Sequence, residues 1–389
     1  MQRLYVDHAA TSPLKAEVKK AYVDALDIVG NPSSLHQDGR QVRMRVEMAR
    51  AELAQCVGAD PSEIIFTSGG TEADNLAIKG LYRAAQKEGK TTILVAGIEH
   101  PAVLDCIEYL EDFEDATIIW IPVDHEGIVD VAFIEKTLQQ HHAEIALVSV
   151  MWANNEVGTV QAIADIAAVC QKYNVACHSD AVQALGSEKI NFSQTALTAM
   201  TISSHKIGGP LGIGALVLAR SATPVPVLHG GGQERSVRSG TLDTPAIVGF
   251  AKAATLAGEN SEQLKELRDY FISEVEKLEG VKLAGSRQNR LANNAHFTFE
   301  GCEGDSLLFL LDHQGISSST GSACTAGVPR PSHVLLAMGY SEDAARGVQR
   351  FTFGPEITRA EIDRILDVLP SCYEQAKKAG LASHVPTIR

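Results

Sequence analysis

Between about residue 60 and residue 220, short runs of strand-forming residues alternate with segments of helical length. The runs fall at 63–67, 92–96, 117–121, 145–150, 175–178, 200–203 and 214–218, and most are apolar almost without interruption. Uninterrupted apolar strands belong in a sheet covered on both faces, and helices between them make that sheet mainly parallel. The expected fold class is therefore α/β, a mostly parallel sheet with helices on both faces. After about residue 255 the pattern changes. An amphipathic helix at 262–278 leads to a strand pair at 281–284 and 295–299, helices near 304–313, 331–338 and 341–348, and a strand at 349–353. A final helix opens at Thr358, where Thr-x-x-Glu361 is a capping box. This second part reads as a smaller α+β module.

Composition narrows the function. A net charge of −14 over 389 residues argues against nucleic acid as a direct partner, because phosphate binding needs a basic surface. No stretch approaches the apolar length of a membrane span, and residues 1–8 have no apolar signal region. The seven cysteines are odd in number and contain no Cys-x-x-Cys, so neither a disulfide framework nor a zinc knuckle is expected. A reduced, cytoplasmic setting follows as the expectation. His-Glu-x-x-His is absent, and no metal site is predicted.

Sites in sheets of this kind lie off the carboxyl ends of the strands. Lys206 stands there, where the run at 200–203 breaks into Ile-Gly-Gly-Pro. An amine at such a break enters a pocket on an anchored backbone and forms a Schiff base with an aldehyde if its surroundings deprotonate it. Four other strand ends supply matching groups. Thr67-Ser-Gly-Gly-Thr71 opens a helix whose free N–H groups suit a phosphate. His100 can stack on a ring and relay protons, and Asn154-Asn155-Glu156 offers polar groups to a ring oxygen or a carboxylate. Asp180 can hold a pyridine nitrogen protonated, or simply cap the turn at 181–185, with Gln183 facing the same pocket.

Together these motifs resemble pyridoxal-phosphate enzymes of the aspartate aminotransferase fold, in the class V aminotransferase group, and more narrowly the cysteine desulfurases. The resemblance runs from Tyr5-Val-Asp-His-Ala-Ala-Thr11 to about Glu361. It rests on Ser68-Gly-Gly-Thr-Glu-Ala-Asp-Asn75, Glu99-His100, Asn154-Asn-Glu-Val-Gly158, His178-Ser-Asp-Ala181, Ser203-Ser-His-Lys206, Arg238-Ser-Gly-Thr241 and Gly321-Ser-Ala-Cys-Thr325. It implies a large cofactor-binding domain at 15–258, a small domain at 259–389 carrying the cysteine segment, and an N-terminal segment, 1–14, packed with the small domain. It implies pyridoxal 5'-phosphate as cofactor, with Lys206 bound to the aldehyde and shuttling protons. Asp180 would partner the pyridine nitrogen, Gln183 would bond the ring hydroxyl and His100 would stack on the ring. Gly70, Thr71, Ser203 and His205 would hold the phosphate, joined by Thr241 from the other subunit of a homodimer. Asn155 and Arg350 would clamp the substrate carboxylate, and Cys324 would be the nucleophile, with His100 as the acid/base that activates it.

The activity so implied turns L-cysteine into L-alanine and passes the sulfur, as a persulfide on Cys324, to an acceptor protein such as an iron–sulfur scaffold or a tRNA-thiolation factor. Small residues around Cys324 suit a nucleophile that must travel, whereas the other six cysteines sit in helix or strand contexts and read as structural. A selenocysteine lyase, a plain class V aminotransferase and a cofactor-holding scaffold are the alternatives. The first two share the cofactor site; plain transamination needs no thiol.

Overall fold

A computed structural model describes residues 3–259, 261–321 and 331–383. Its strands are β1 (Leu4–Tyr5), β2 (Ile64–Thr67), β3 (Thr92–Ala96), β4 (Thr117–Ile121), β5 (Ile145–Ser149), β6 (Ala176–Asp180), β7 (Ala199–Ser203), β8 (Gly214–Leu218), β9 (Val281–Leu283), β10 (Asn294–Phe299), β11 (Ile316–Ser317) and β12 (Val348–Thr352). Its first six helices are α1 (Ala16–Leu26), α2 (Gln37–Val57), α3 (Gly70–Gln86), α4 (Pro101–Glu114), α5 (Val131–His141) and α6 (Ile163–Lys172). The others are α7 (Thr244–Thr255), α8 (Ser261–Val275), α9 (Gly304–His313), α10 (His333–Ala337), α11 (Glu342–Arg346) and α12 (Arg359–Ser383).

Seven strands form the main sheet in the order β2-β8-β7-β6-β5-β3-β4. All pairings from β7 to β4 are parallel, and β8 alone runs against its neighbours β2 and β7. Strands β3, β5, β7 and β8 are buried at every position, as the uninterrupted apolar runs require when helices cover both faces. The exception is β4 at the edge, where Thr117 and Trp120 are exposed. Because β2 runs parallel to β7, the loops after β2, β3, β5, β6 and β7 leave the same edge of the sheet. That shared edge is what brings the five sequence motifs together.

The smaller module is built on the antiparallel sheet β12-β10-β9, with α8, α9 and α12 packed nearby. Phe271 sits at the centre of its core, edge-on to Phe297, Phe351 and Phe353 at 5.9, 5.1 and 5.3 Å. Such edge-to-face contacts add to the area term because ring edges are positive and faces negative. The capping box at the start of α12 forms as the sequence predicts: the Thr358 amide donates to Glu361 at 2.9 Å and the Glu361 amide to Thr358 Oγ1 at 3.3 Å. The N-terminal strand β1 pairs in parallel with β11. Residues 7–12 then cross to the main sheet, where Ser12 Oγ donates to the Lys206 carbonyl at 2.8 Å. One continuous segment therefore touches both cores.

Candidate active site

At the carboxyl edge of the sheet lies a cavity of about 610 Å³. Gly70, Thr71, His100, Asn155, Asp180, Gln183, Ser203, His205, Lys206 and Arg350 all line it. Thr241 does not, and in this single chain its side chain is exposed. Cys324 lies outside the described residues, but Gly321 and Pro331, which bracket its segment, both line the cavity.

The end of the cavity at the start of α3 is shaped by backbone geometry. Gly69 precedes α3 at φ 151° and ψ −178°, a conformation closed to residues with a Cβ, and it turns the chain so that the α3 amides face the cavity. A Cβ on Gly70 would stand 2.9 Å from Val182 Cγ2. At the end of β7, Ser203 Oγ is buried with no hydrogen-bond partner among the described residues. A buried hydroxyl without a partner is costly unless a ligand completes it. Burial, then the neighbouring Lys206 charge, lowers the His205 ring to about 4, so it serves as a neutral polar group.

Lys206 sits on a short 3₁₀ turn directly after β7, backed by Gly208 at φ 77°. Its Nζ donates to the carbonyls of Ala9 and Ala10 at 2.6 and 2.9 Å. Burial, reinforced by the Arg350 charge, lowers its amine to about 8, which leaves a usable fraction nucleophilic near neutrality. Asp180 is the last residue of β6. Its Oδ1 accepts from the Val182 amide at 2.9 Å, so it does cap the following turn as well as line the cavity. Burial raises its proton affinity, opposed by His100 and Lys206. A buried carboxyl so poised is suited to share a proton with a ring nitrogen. Gln183 donates through Nε2 to the Ala9 carbonyl at 2.9 Å, and this contact fixes its position on the cavity wall.

Arg350 reaches the cavity from β12. Its Nη1 donates to the Asn155 carbonyl at 2.6 Å and its Nη2 to Asp7 Oδ1 at 2.8 Å. Each Nη carries a second hydrogen, so the guanidinium retains donors for a carboxylate. Cys106 and Cys302 are held near 12 by burial, and burial also raises Cys56 and Cys372. Thiols in that state are poor nucleophiles, in keeping with the structural role expected for them.

Several residues of the cavity escaped sequence reasoning. Asp74, one turn into α3, lines it with Oδ1 buried and unpartnered among the described residues. Burial and the Asp180 charge push its carboxyl well above the usual range. His178 stands 3.6 Å from that oxygen, between Ser149 at 3.0 Å and Thr201 at 3.1 Å. His333 also lines the cavity, as do Ala9 and Ala10, beside Glu156, which the sequence already offers with Asn154 and Asn155. Only the alignment of Asp74 with Gly70 on one helix face was visible beforehand; His333 and the N-terminal carbonyls arrive from distant chain.

The aminotransferase class-V family model matches residues 4–365. The chain belongs to that family. It is 48% identical to an IscS-like cysteine desulfurase of Mycobacterium tuberculosis, covering 97% of this chain and 98% of the relative. The cysteine desulfurase IscS of Dictyoglomus turgidum is 42% identical over 97% of this chain and 96% of its own length. Among solved structures, a NifS-like protein superposes with a TM-score of 0.89 at 32% identity, covering 96% of this chain and all of that one. A NifS-like protein from Rickettsia africae gives 0.86 at 33% identity with the same coverage. The enzyme is thus of the cysteine desulfurase kind, and its cofactor is pyridoxal 5'-phosphate. The cavity fits that group: amides and an unpartnered hydroxyl for a phosphate, an amine for an aldehyde and a buried carboxyl for a ring nitrogen.

Proposed function

We propose that this cysteine desulfurase takes sulfur from L-cysteine onto Cys324 as a persulfide, releases L-alanine and hands the sulfur to an acceptor protein. The observation that carries the reading is one cavity in which Lys206, with its amine lowered to about 8, shares walls with Asp180, Arg350 and the α3 amides. Gly70, Thr71, Ser203 and His205 hold the phosphate, completed by Thr241 from a second subunit of a homodimer. His100 covers the ring, Asp180 keeps its nitrogen protonated and Gln183 bonds its hydroxyl. When bound, the cofactor supplies an aldehyde that condenses with amines and a ring that absorbs the electron pair left by a departing Cα proton.

The protein's groups do the rest. Arg350 and Asn155 orient the substrate carboxylate, Lys206 carries the Cα proton and Cys324, as thiolate, forms the new S–S bond while the Cβ–S bond breaks. The 15–258 unit holds the cofactor, and the 259–389 unit presents Cys324. In this reading the enzyme works in the cytoplasm and supplies iron–sulfur assembly or tRNA thiolation through protein contacts, without binding nucleic acid itself. No helix among the described residues is long and apolar enough to cross a membrane. Among the same residues no cluster suits a metal ion.

The test is L-cysteine turnover by wild type and Cys324→Ala, following alanine and, with reductant, sulfide. Equimolar alanine and sulfide from wild type alone supports the reading. Pyruvate, or alanine formation insensitive to the substitution, would replace it with a lyase or an aminotransferase on the same scaffold.

A further inference from the structure

Beside Arg350, on the neighbouring strand, stands a histidine that the proposed chemistry does not use. His296 of β10 is the register partner of Arg350 of β12. The Arg350 amide and carbonyl both bond to Ser319, while the His296 carbonyl accepts from the Ala284 amide. The two residues therefore face each other without mutual backbone hydrogen bonds. That arrangement brings opposed side chains closest, with Cβ atoms roughly 4.5–5.5 Å apart. The ring also reaches the cavity wall. A Cβ on Gly321 would stand 3.5 Å from His296 Nε2 and 3.6 Å from Glu156 Cβ, and Gly321 and Glu156 both line the cavity.

Three buried polar atoms here lack a partner among the described residues: Nδ1 and Nε2 of His296, which is fully buried, and Nε of Arg350. Their chemistry is complementary. Arg350 Nε carries one N–H and no lone pair, whereas a neutral imidazole has one N–H and one lone pair. Burial, then the charges of Arg350 and Arg290, lowers the His296 ring to about 3, opposed by the Thr320 carbonyl. The ring is therefore neutral near pH 7, with its proton suited to the Thr320 carbonyl and its lone pair left over. Arg350 has already placed its other two nitrogens, Nη1 on the Asn155 carbonyl and Nη2 on Asp7. Glu156, the carboxyl on the same wall, is engaged by the Ser332 hydroxyl.

We infer that His296 is a positioning residue for the substrate: its lone pair takes the Arg350 Nε–H and so fixes the tilt of the guanidinium that clamps the carboxylate. The fork is then held at all three nitrogens, and the remaining Nη hydrogens are presented in one plane. A bidentate bond to a carboxylate depends on that plane, because both N–H groups must meet the two oxygens together. A neutral ring achieves this without cancelling the positive charge that attracts the carboxylate, as an acidic side chain at 296 would.

The inference rests on the reading of Arg350 as the carboxylate clamp, and its test separates the two. L-Alanine binding to the holoenzyme, followed by cofactor absorbance, isolates carboxylate recognition from turnover. His296→Phe keeps a ring but removes the lone pair. Its dissociation constant for L-alanine and its KM for L-cysteine should each rise about tenfold, with kcat within about twofold of wild type. His296→Gln restores an acceptor and should recover most of that loss. In an Arg350→Ala background, His296→Phe should change L-alanine binding by less than about twofold, because its effect passes through Arg350. Wild-type affinity in His296→Phe would overturn the inference, and so would the same tenfold loss in both backgrounds. If His296→Phe does not fold, nitrogen-15 NMR of histidine-labelled wild type decides. One protonated and one bare nitrogen on His296 supports the inference, and an imidazolium at pH 7 overturns it. An Arg350→Ala enzyme that binds L-alanine like wild type defeats the clamp itself, and with it the role of His296.

Discussion

At the residue scale, the reactive state of Lys206 is set by what surrounds it. Burial disfavours its ammonium form first, and the Arg350 charge adds to this, while Asp180 and Asp7 pull the other way. Only the unprotonated amine attacks an aldehyde, so cofactor capture by the apoenzyme should accelerate as pH rises through about 8. Stopped-flow absorbance of reconstitution measures this directly. A rate still climbing only above pH 10, where an ordinary lysine titrates, would show that the pocket does not tune the amine. Arg350 shows the same dependence on company: Asp7 and the Asn155 carbonyl hold its fork in place before any substrate arrives.

At the scale of elements, the start of α3 shows a conflict between helix propensity and function. Alanine is better than glycine inside a helix by roughly 0.5–1 kcal/mol. Yet at position 70 its Cβ would meet Val182 Cγ2 at 2.9 Å, beside the amides proposed to hold the phosphate. Gly70→Ala should therefore leave the urea midpoint nearly unchanged while weakening cofactor binding about tenfold, roughly 1.4 kcal/mol. Fluorescence titration of the apoenzyme with pyridoxal phosphate reads the second effect. Unaltered affinity would mean that Val182 yields easily and that the close approach is not needed.

At the scale of the whole molecule, two cores meet around the cavity. The small-domain core depends on Phe271, which touches three other phenylalanines. Phe271→Ala should cost about 3–5 kcal/mol. The loss should appear locally, as faster amide hydrogen exchange in β9, β10 and β12 with β5 to β7 still protected. Uniform acceleration through both sheets would instead show that the two cores unfold as one unit. Arg350 lies on β12, so loosening this core also displaces the expected carboxylate clamp.

The sequence by itself determined the local periods. Runs such as 92–96 and 214–218 appear as strands with those bounds, because a strand buried on both faces admits little but apolar side chains. It also placed Gly70, His100, Asp180 and Lys206 at strand ends, since glycines and isolated polar residues there interrupt an otherwise apolar pattern. Tertiary structure alone decided the partners that come from far away. Asp7 meets Arg350 across 343 positions, and Ala9 meets Lys206 across 197. The Glu99 carbonyl meets His333 across 234 positions and so fixes which ring nitrogen carries the proton. Backbone carbonyls leave no mark in a sequence, and a histidine's tautomer depends on the group it faces; both follow only once the chain has closed on itself.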